Sequence, residues 1–166
     1  MKSQSRGVPE GYREAAGAII RDGPEGRVLF VRRSPMETSM HGMWELPGGK
    51  VEGGEHPEET AAIEAMEEVG LSLNRLKHKG SHVDDNMSKV FHGYESMLEP
   101  DVDPNSVQLS EEHNEFRWVH PDDIEQFLDD GGLSHHAEYL FGPDNPGGAD
   151  DTHPDDPYQD YSTWED

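Results

Sequence analysis

"GGKVEGGEHPEETAAIEAMEEVGL", residues 48–71, is the stretch on which the reading of the whole chain turns. It opens with two glycine pairs, Gly48-Gly49 and Gly53-Gly54, and continues into a run with helical spacing from Pro57 to Val69. Pro57 suits a first helical position and Gly70 a C-terminal cap, whereas His56 is a poor N-cap. Ala61, Ala62, Ala65, Met66 and Val69 form one predicted buried stripe. The stretch also carries seven carboxylates (Glu52, Glu55, Glu58, Glu59, Glu64, Glu67 and Glu68) against one cation, Lys50. Glu64, Glu67 and Glu68 stand at i, i+3 and i+4 and share a helix face. Like charges at that spacing destabilise a helix by roughly 0.2–0.5 kcal/mol per pair. Two readings follow. One is a solvated acidic face. The other is a bed for a hard cation such as Mg²⁺, which takes oxygen ligands and retains waters and substrate phosphates. The glycine-rich segment favours the second reading, because glycines let a backbone turn tightly and bring its own polar groups to a ligand.

Working outward, Glu14–Ile20 and Arg27–Arg33 are short apolar, β-branched runs separated by Asp22-Gly23-Pro24, the pattern of strand, turn and strand. Residues 34–49, "SPMETSMHGMWELPGG", read as a loop. Beyond the helix, residues 75–83 and 88–98 and the short Glu115–Val119 run read as strands. Pro121–Leu128 reads as a second helix behind Asp122 and Asp123, which favour an N-terminus. Ser134–Leu140 is expected to form a last short helix. Strands and helices mix without regular alternation, which implies α+β or a mixed α/β sandwich.

The chain has 166 residues, the size of one domain, with 36 acids, 13 Lys and Arg, and a net charge of −23. Its end, residues 142–166, has eight acids, no Lys or Arg, and repeated Pro and Gly. It is expected to be a disordered acidic tail following a single domain over 1–141. The remainder keeps 28 of the 36 acids against all 13 bases. Such a surface repels nucleic acid and acidic membranes. Few Lys, many acids and low hydrophobicity also fit adaptation to high salt; an ordinary acidic protein is the alternative. The absence of Cys removes disulfides, thiolate metal sites and Cys nucleophiles. No apolar run approaches the ~20 residues that span a bilayer, and the first residues lack the apolar segment of a signal peptide, so a cytoplasmic location is expected. The ten His are scattered without zinc-like spacing and are expected at the surface.

The same stretch resembles the signature of the Nudix hydrolases, G-x5-E-x7-R-E-U-x-E-E-x-G-U, where U is a bulky aliphatic. Gly49, Glu55, Glu64, Glu67, Glu68, Gly70 and Leu71 fall on it, seven of nine fixed positions. Ile63 stands where the Arg is expected and Ala65 where a bulky aliphatic is expected. "WELPGGKVEGGE" and "VLFVRR" are similar to the family's approach to this box, and the likeness runs roughly from Tyr12 to Asp130.

The resemblance implies an α/β/α sandwich with a mixed sheet. It implies hydrolysis of a nucleoside diphosphate linked to another moiety, with Mg²⁺ or Mn²⁺, by water attacking phosphorus. By position, Glu64, Glu67 and Glu68 look like the metal-ligand carboxylates and the carbonyl of Gly48 like the backbone ligand. Gly49 and Glu55 look like the residues that set the loop. The proton acceptor is either Glu64 or a glutamate of "LSEEHNEF", with Glu112 chosen there over Glu111 and Glu115. Arg32, Arg33 and Trp44 are candidate contacts to phosphate, sugar and base; a charged strand end, an ion pair and a core aromatic are the alternatives. The text is most similar to the mutator-type nucleoside triphosphate pyrophosphohydrolases, so a nucleoside triphosphate or oxidised nucleotide is the expected small-molecule partner. Ile63 also leaves room for a nucleotide-binding or regulatory module with weak or no catalysis.

Overall fold

The computed structural model describes residues 8–23, 25–35, 42–129 and 139–141. Strand β1, Arg13–Arg21, has six consecutive buried residues, as expected of a strand covered on both faces. It runs parallel to β6, Lys89–Met97, over its whole length. β5, Lys77–Asp84, pairs antiparallel with the outer edge of β6. On its other edge β1 meets β4, Gly48–Lys50, and near its end β2, Val28–Arg33. β2 pairs in turn with β3, Trp44–Glu45, and with β7, His113–Val119. The sheet is therefore mixed, as expected.

Alternation along β1 divides the core. Ala15 and Ile19 join Phe30, Phe91 and Val119 on one face, where Trp44, Phe127, Tyr139 and Phe141 pack. Ala18 and Ile20 join Leu29, Val31, Ala65 and Val69 on the other. Helix α1, Pro57–Val69, covers that second face, and α2, Ile124–Asp129, contributes to the first. This is the expected α/β/α sandwich.

α1 starts and ends where the sequence places it. Glu59 reaches back to accept from the His56 backbone N–H at 3.1 Å, which supports the weak N-cap. Gly70 closes the helix in the left-handed region at φ 73°. The buried stripe differs from expectation. Met66 is 49% exposed, while Glu68 is 5% exposed and packs inward beside Ala65 and Val69.

The loop expected over 34–49 contains β3 and β4; residues 36–41 lie outside the described set. β4 is possible because it is built from glycine. A Cβ on Gly48 would stand 2.5 Å from the Ala16 carbonyl oxygen. The predicted second helix begins instead as a 3-10 turn over Pro121–Asp123. Tyr139–Phe141 is helical; the rest of the predicted last helix and all of 142–166 lie outside the described residues.

Candidate active site

The site forms where α1, β4 and the start of β7 meet beside the sheet. Glu68 is its centre. Its Oε1 accepts from the Gly48 backbone N–H at 3.0 Å, so the glycine strand and the helix are tied through one carboxyl. Glu64 lies one turn earlier against Gly49. A Cβ on Gly49 would stand 2.5 Å from the Glu64 carboxyl carbon, so only glycine leaves room for that side chain. The end of a flexible side chain can yield, whereas the backbone that faces Gly48 cannot.

Glu112 reaches the cluster from the segment before β7. The Glu112 carbonyl accepts from the Ser34 N–H at 2.8 Å, which fixes the segment against the end of β2. Its side chain is exposed and hydrogen-bonded to Glu68. Glu67 is exposed and close enough to raise the charge density around Glu64. Among the described residues, no Lys or Arg forms an ion pair with Glu64, Glu67, Glu68 or Glu112.

The electrostatic consequence is large. Burial pushes the Glu68 carboxyl up from 4.5 to about 10, opposed by the Gly48 amide and reinforced by Glu112 and Glu64. Glu64 is also raised, first by burial and then by Glu67, Glu112 and Glu55, with the hydrogen bond from Glu68 acting the other way. Without a cation the centre of the cluster keeps a proton.

Glu55 is placed without the expected arginine. Its Oε1 accepts from the Thr60 hydroxyl at 2.6 Å and from the Glu52 N–H at 3.2 Å. Thr60 is buried, whereas Ile63 is 41% exposed and takes no part. Thr60 is one turn after the loop and its hydroxyl is the donor that replaces a guanidinium.

The candidate substrate contacts separate. Period-two alternation puts Arg33 on the α1 face with Val31, and Arg32 on the opposite face with Phe30 and Trp44. Arg33 binds Glu45 at 3.3 Å, one of the alternatives its sequence position allows. Arg32 donates to the Gly42 carbonyl at 3.2 Å and pairs with Glu115 at 3.4 Å. Trp44 is half-buried, with Phe127 edge-on at 5.8 Å and the Arg117 guanidinium over its ring at 4.8 Å.

The expectation of surface histidines fails for three of them. His78, His92 and His113 are all buried. His92 bridges Glu14 and Ser81, and Ser81 also meets His78, so a polar chain crosses β1, β6 and β5. His113 is the one sequence reading missed at the site. Its Nε2 lies 2.8 Å from the Glu45 carboxylate that also holds Arg33. The strand was expected to start at Glu115. It starts two residues earlier, through a register shift that brings His113 opposite Arg33 and onto the α1 face.

Residues 11–140 match the NUDIX domain. The chain belongs to the Nudix family. Among its curated relatives, an octanoyltransferase of Myxococcus xanthus is 33% identical over 125 residues, which is 68% of this chain but 32% of that protein. The chain thus spans about a third of that relative's length. A CTP pyrophosphohydrolase of Escherichia coli (strain K12) is 27% identical over 114 residues, covering 69% of this chain and 80% of that protein. A solved MutT protein from Methanosarcina mazei Go1 shares 30% identity at a TM-score of 0.64, covering 78% of this chain and 90% of that one. The departures at Ile63 and Ala65 therefore sit within a true Nudix box.

Three outcomes are expected from this geometry. With a chelator present, both folded and unfolded chains hold the Glu68 proton below 4.5, and only the folded chain keeps it between there and about 10. Stability is therefore lost as pH rises through that window. Thermal midpoints measured from pH 5 to pH 9 should fall in the wild type, and Glu68→Gln should flatten the decline and raise the midpoint at pH 8. Second, Thr60→Val should cost about 1–3 kcal/mol in denaturant unfolding by removing the donor to Glu55. Ile63→Arg should change any turnover by less than roughly tenfold, about 1.4 kcal/mol, because Glu55 is already held.

Proposed function

We propose that this Nudix chain is a divalent-cation-dependent hydrolase that opens a phosphoanhydride bond of a nucleoside triphosphate, or of a related nucleoside diphosphate derivative, by attack of water on phosphorus. The observation that carries this reading is the buried, proton-holding Glu68 between Glu64 and Glu112. Four carboxylates gather there, and among the described residues no Lys or Arg pairs with them. That donor set fits a hard cation, and the proton on Glu68 is what such a cation would displace.

Glu64, Glu67 and Glu68 would hold Mg²⁺ or Mn²⁺, with the carbonyl of Gly48 as the backbone ligand. When bound, such an ion neutralises phosphate oxygens and makes water more acidic. The chain's own residues supply the rest. The Gly48 N–H fixes the orientation of Glu68. Gly49 lets Glu64 pack flat against the strand. Glu55, anchored by Thr60, braces the loop between them. Glu112 takes the proton from the attacking water, since it faces solvent at the open side of the cluster while Glu64 is packed over Gly49. A carboxylate in that role contributes about 10²–10⁴-fold.

On the other face, Trp44 and Arg32 share the side of the sheet away from α1. We assign them to the nucleoside end of the substrate, with the indole offering a stacking surface. Arg33 is committed to Glu45 and serves the site through that carboxylate. The name of one curated relative, a CTP pyrophosphohydrolase of which this chain covers 80%, supports a nucleoside triphosphate as substrate class. The competing reading, a nucleotide-binding module without catalysis, rests on Ile63; the Thr60 contact to Glu55 weighs against it.

The test is a hydrolysis screen with Mg²⁺ and Mn²⁺ across nucleoside triphosphates, oxidised forms included, ADP-ribose, nucleotide sugars and dinucleoside polyphosphates. A nucleoside monophosphate product is expected from one class. Glu112→Gln should cut turnover by about 10²–10⁴-fold with the fold intact. Unchanged turnover in both Glu67→Gln and Glu68→Gln would remove the metal assignment, and nucleotide binding without any product would favour the binding module.

A further inference from the structure

His113 is buried, and nothing in the reading above gives it a task. A ring nitrogen of His113 and a carboxylate oxygen from each of Glu68 and Glu112 all lie within 4.8 Å of one another. Donors around one ion bound at ~2.1 Å lie about 3.0–4.2 Å apart, so these three atoms would draw together on a cation. His113 Nε2 is engaged by the Glu45 carboxylate at 2.8 Å, and Glu45 is itself held by Arg33 at 3.3 Å. A carboxylate accepts, so Nε2 carries a ring proton, and in the neutral ring Nδ1 carries the lone pair. That Nδ1 is fully buried and has no hydrogen-bond partner among the described residues. A buried lone pair without a donor is costly. A cation held by Glu68 would satisfy that lone pair as well.

The arrangement is that of a metal-binding histidine. One ring nitrogen meets a carboxylate, which fixes the tautomer and the ring plane and raises the basicity of the other nitrogen. The register shift between Arg32 and Arg33 is what brings the ring to this face.

We propose that His113 is an additional metal ligand of this site, giving through Nδ1 one imidazole nitrogen among carboxylate oxygens, and that the site consequently selects Mn²⁺ or another transition-metal ion over Mg²⁺. This rests on the carboxylates of the proposed hydrolase site being metal ligands. The chemistry behind the selection is general: Mg²⁺ demands hard oxygen donors, whereas imidazole nitrogen suits transition metals.

The probe is Mn²⁺ alone, added below one equivalent to the full chain. Pulsed EPR is recorded on protein with ordinary and with heavy-nitrogen histidine, for the wild type and for His113→Gln. The expected result is a histidine-nitrogen coupling to bound Mn²⁺ in the wild type that vanishes in His113→Gln. Mn²⁺ affinity should fall by about 10–100-fold, with a smaller change for Mg²⁺. Mn²⁺ bound without any histidine coupling would overturn the ligand while leaving the carboxylate site standing. Mn²⁺ binding untouched by Glu68→Gln would overturn both. If His113→Gln does not fold, Glu45→Gln keeps the ring and removes the charge of its anchor. It should weaken Mn²⁺ more than Mg²⁺, and equal losses for the two ions would overturn the proposal.

Discussion

The structure depends on one hydrogen bond, from the Gly48 backbone N–H to the buried carboxyl of Glu68. It joins α1 to β4, and β4 is laid against β1 at Gly48, where the β1 backbone leaves no room for a side chain. The same bond brings a carboxyl into the protein beside two others. An isolated buried carboxylate is expensive, and it responds by keeping its proton. The fold therefore concentrates acid groups that are only partly compatible with it. Active sites are built this way when a ligand is meant to complete them, and the stored electrostatic cost is released on binding.

The loop shows how a motif can change a residue and keep its geometry. An arginine at position 63 would reach Glu55 from the exposed surface of α1. Here Thr60 does it from the buried side, across 2.6 Å. The two arrangements differ in what they add to the site. A guanidinium brings positive charge next to the carboxylates, and a hydroxyl brings none. The cluster is left more negative, which strengthens its demand for a cation.

The sequence showed a good deal of this because the deciding features are local. Glycine pairs, helical spacing and a capping glycine all lie within residues 48–71, and α1 occupies the range that spacing predicts. Glu112 was identifiable as one acid among three in its segment, and contact with Glu68 distinguishes it. What stayed hidden depends on tertiary register. Nothing around Asn114 announces the shift that turns His113 inward, and Glu45 and Arg33 find it only once β3 and β7 flank β2. Met66 belongs to the predicted buried stripe, but on the helix it faces solvent while Glu68 faces the strand. Arg32 and Arg33 read as one basic pair, yet neighbouring strand residues face opposite ways. Periodicity gives a side chain's direction; it does not say which partner strand it will meet.

The central claim is that a cation takes the place of a proton at Glu68. Calorimetric titration of Mn²⁺ at pH 8, repeated in buffers of different ionisation enthalpy, measures that exchange directly. The account predicts that binding releases a proton in the wild type and that Glu68→Gln releases none. Metal binding by the wild type with no proton released would show that Glu68 was already ionised, and would contradict the account.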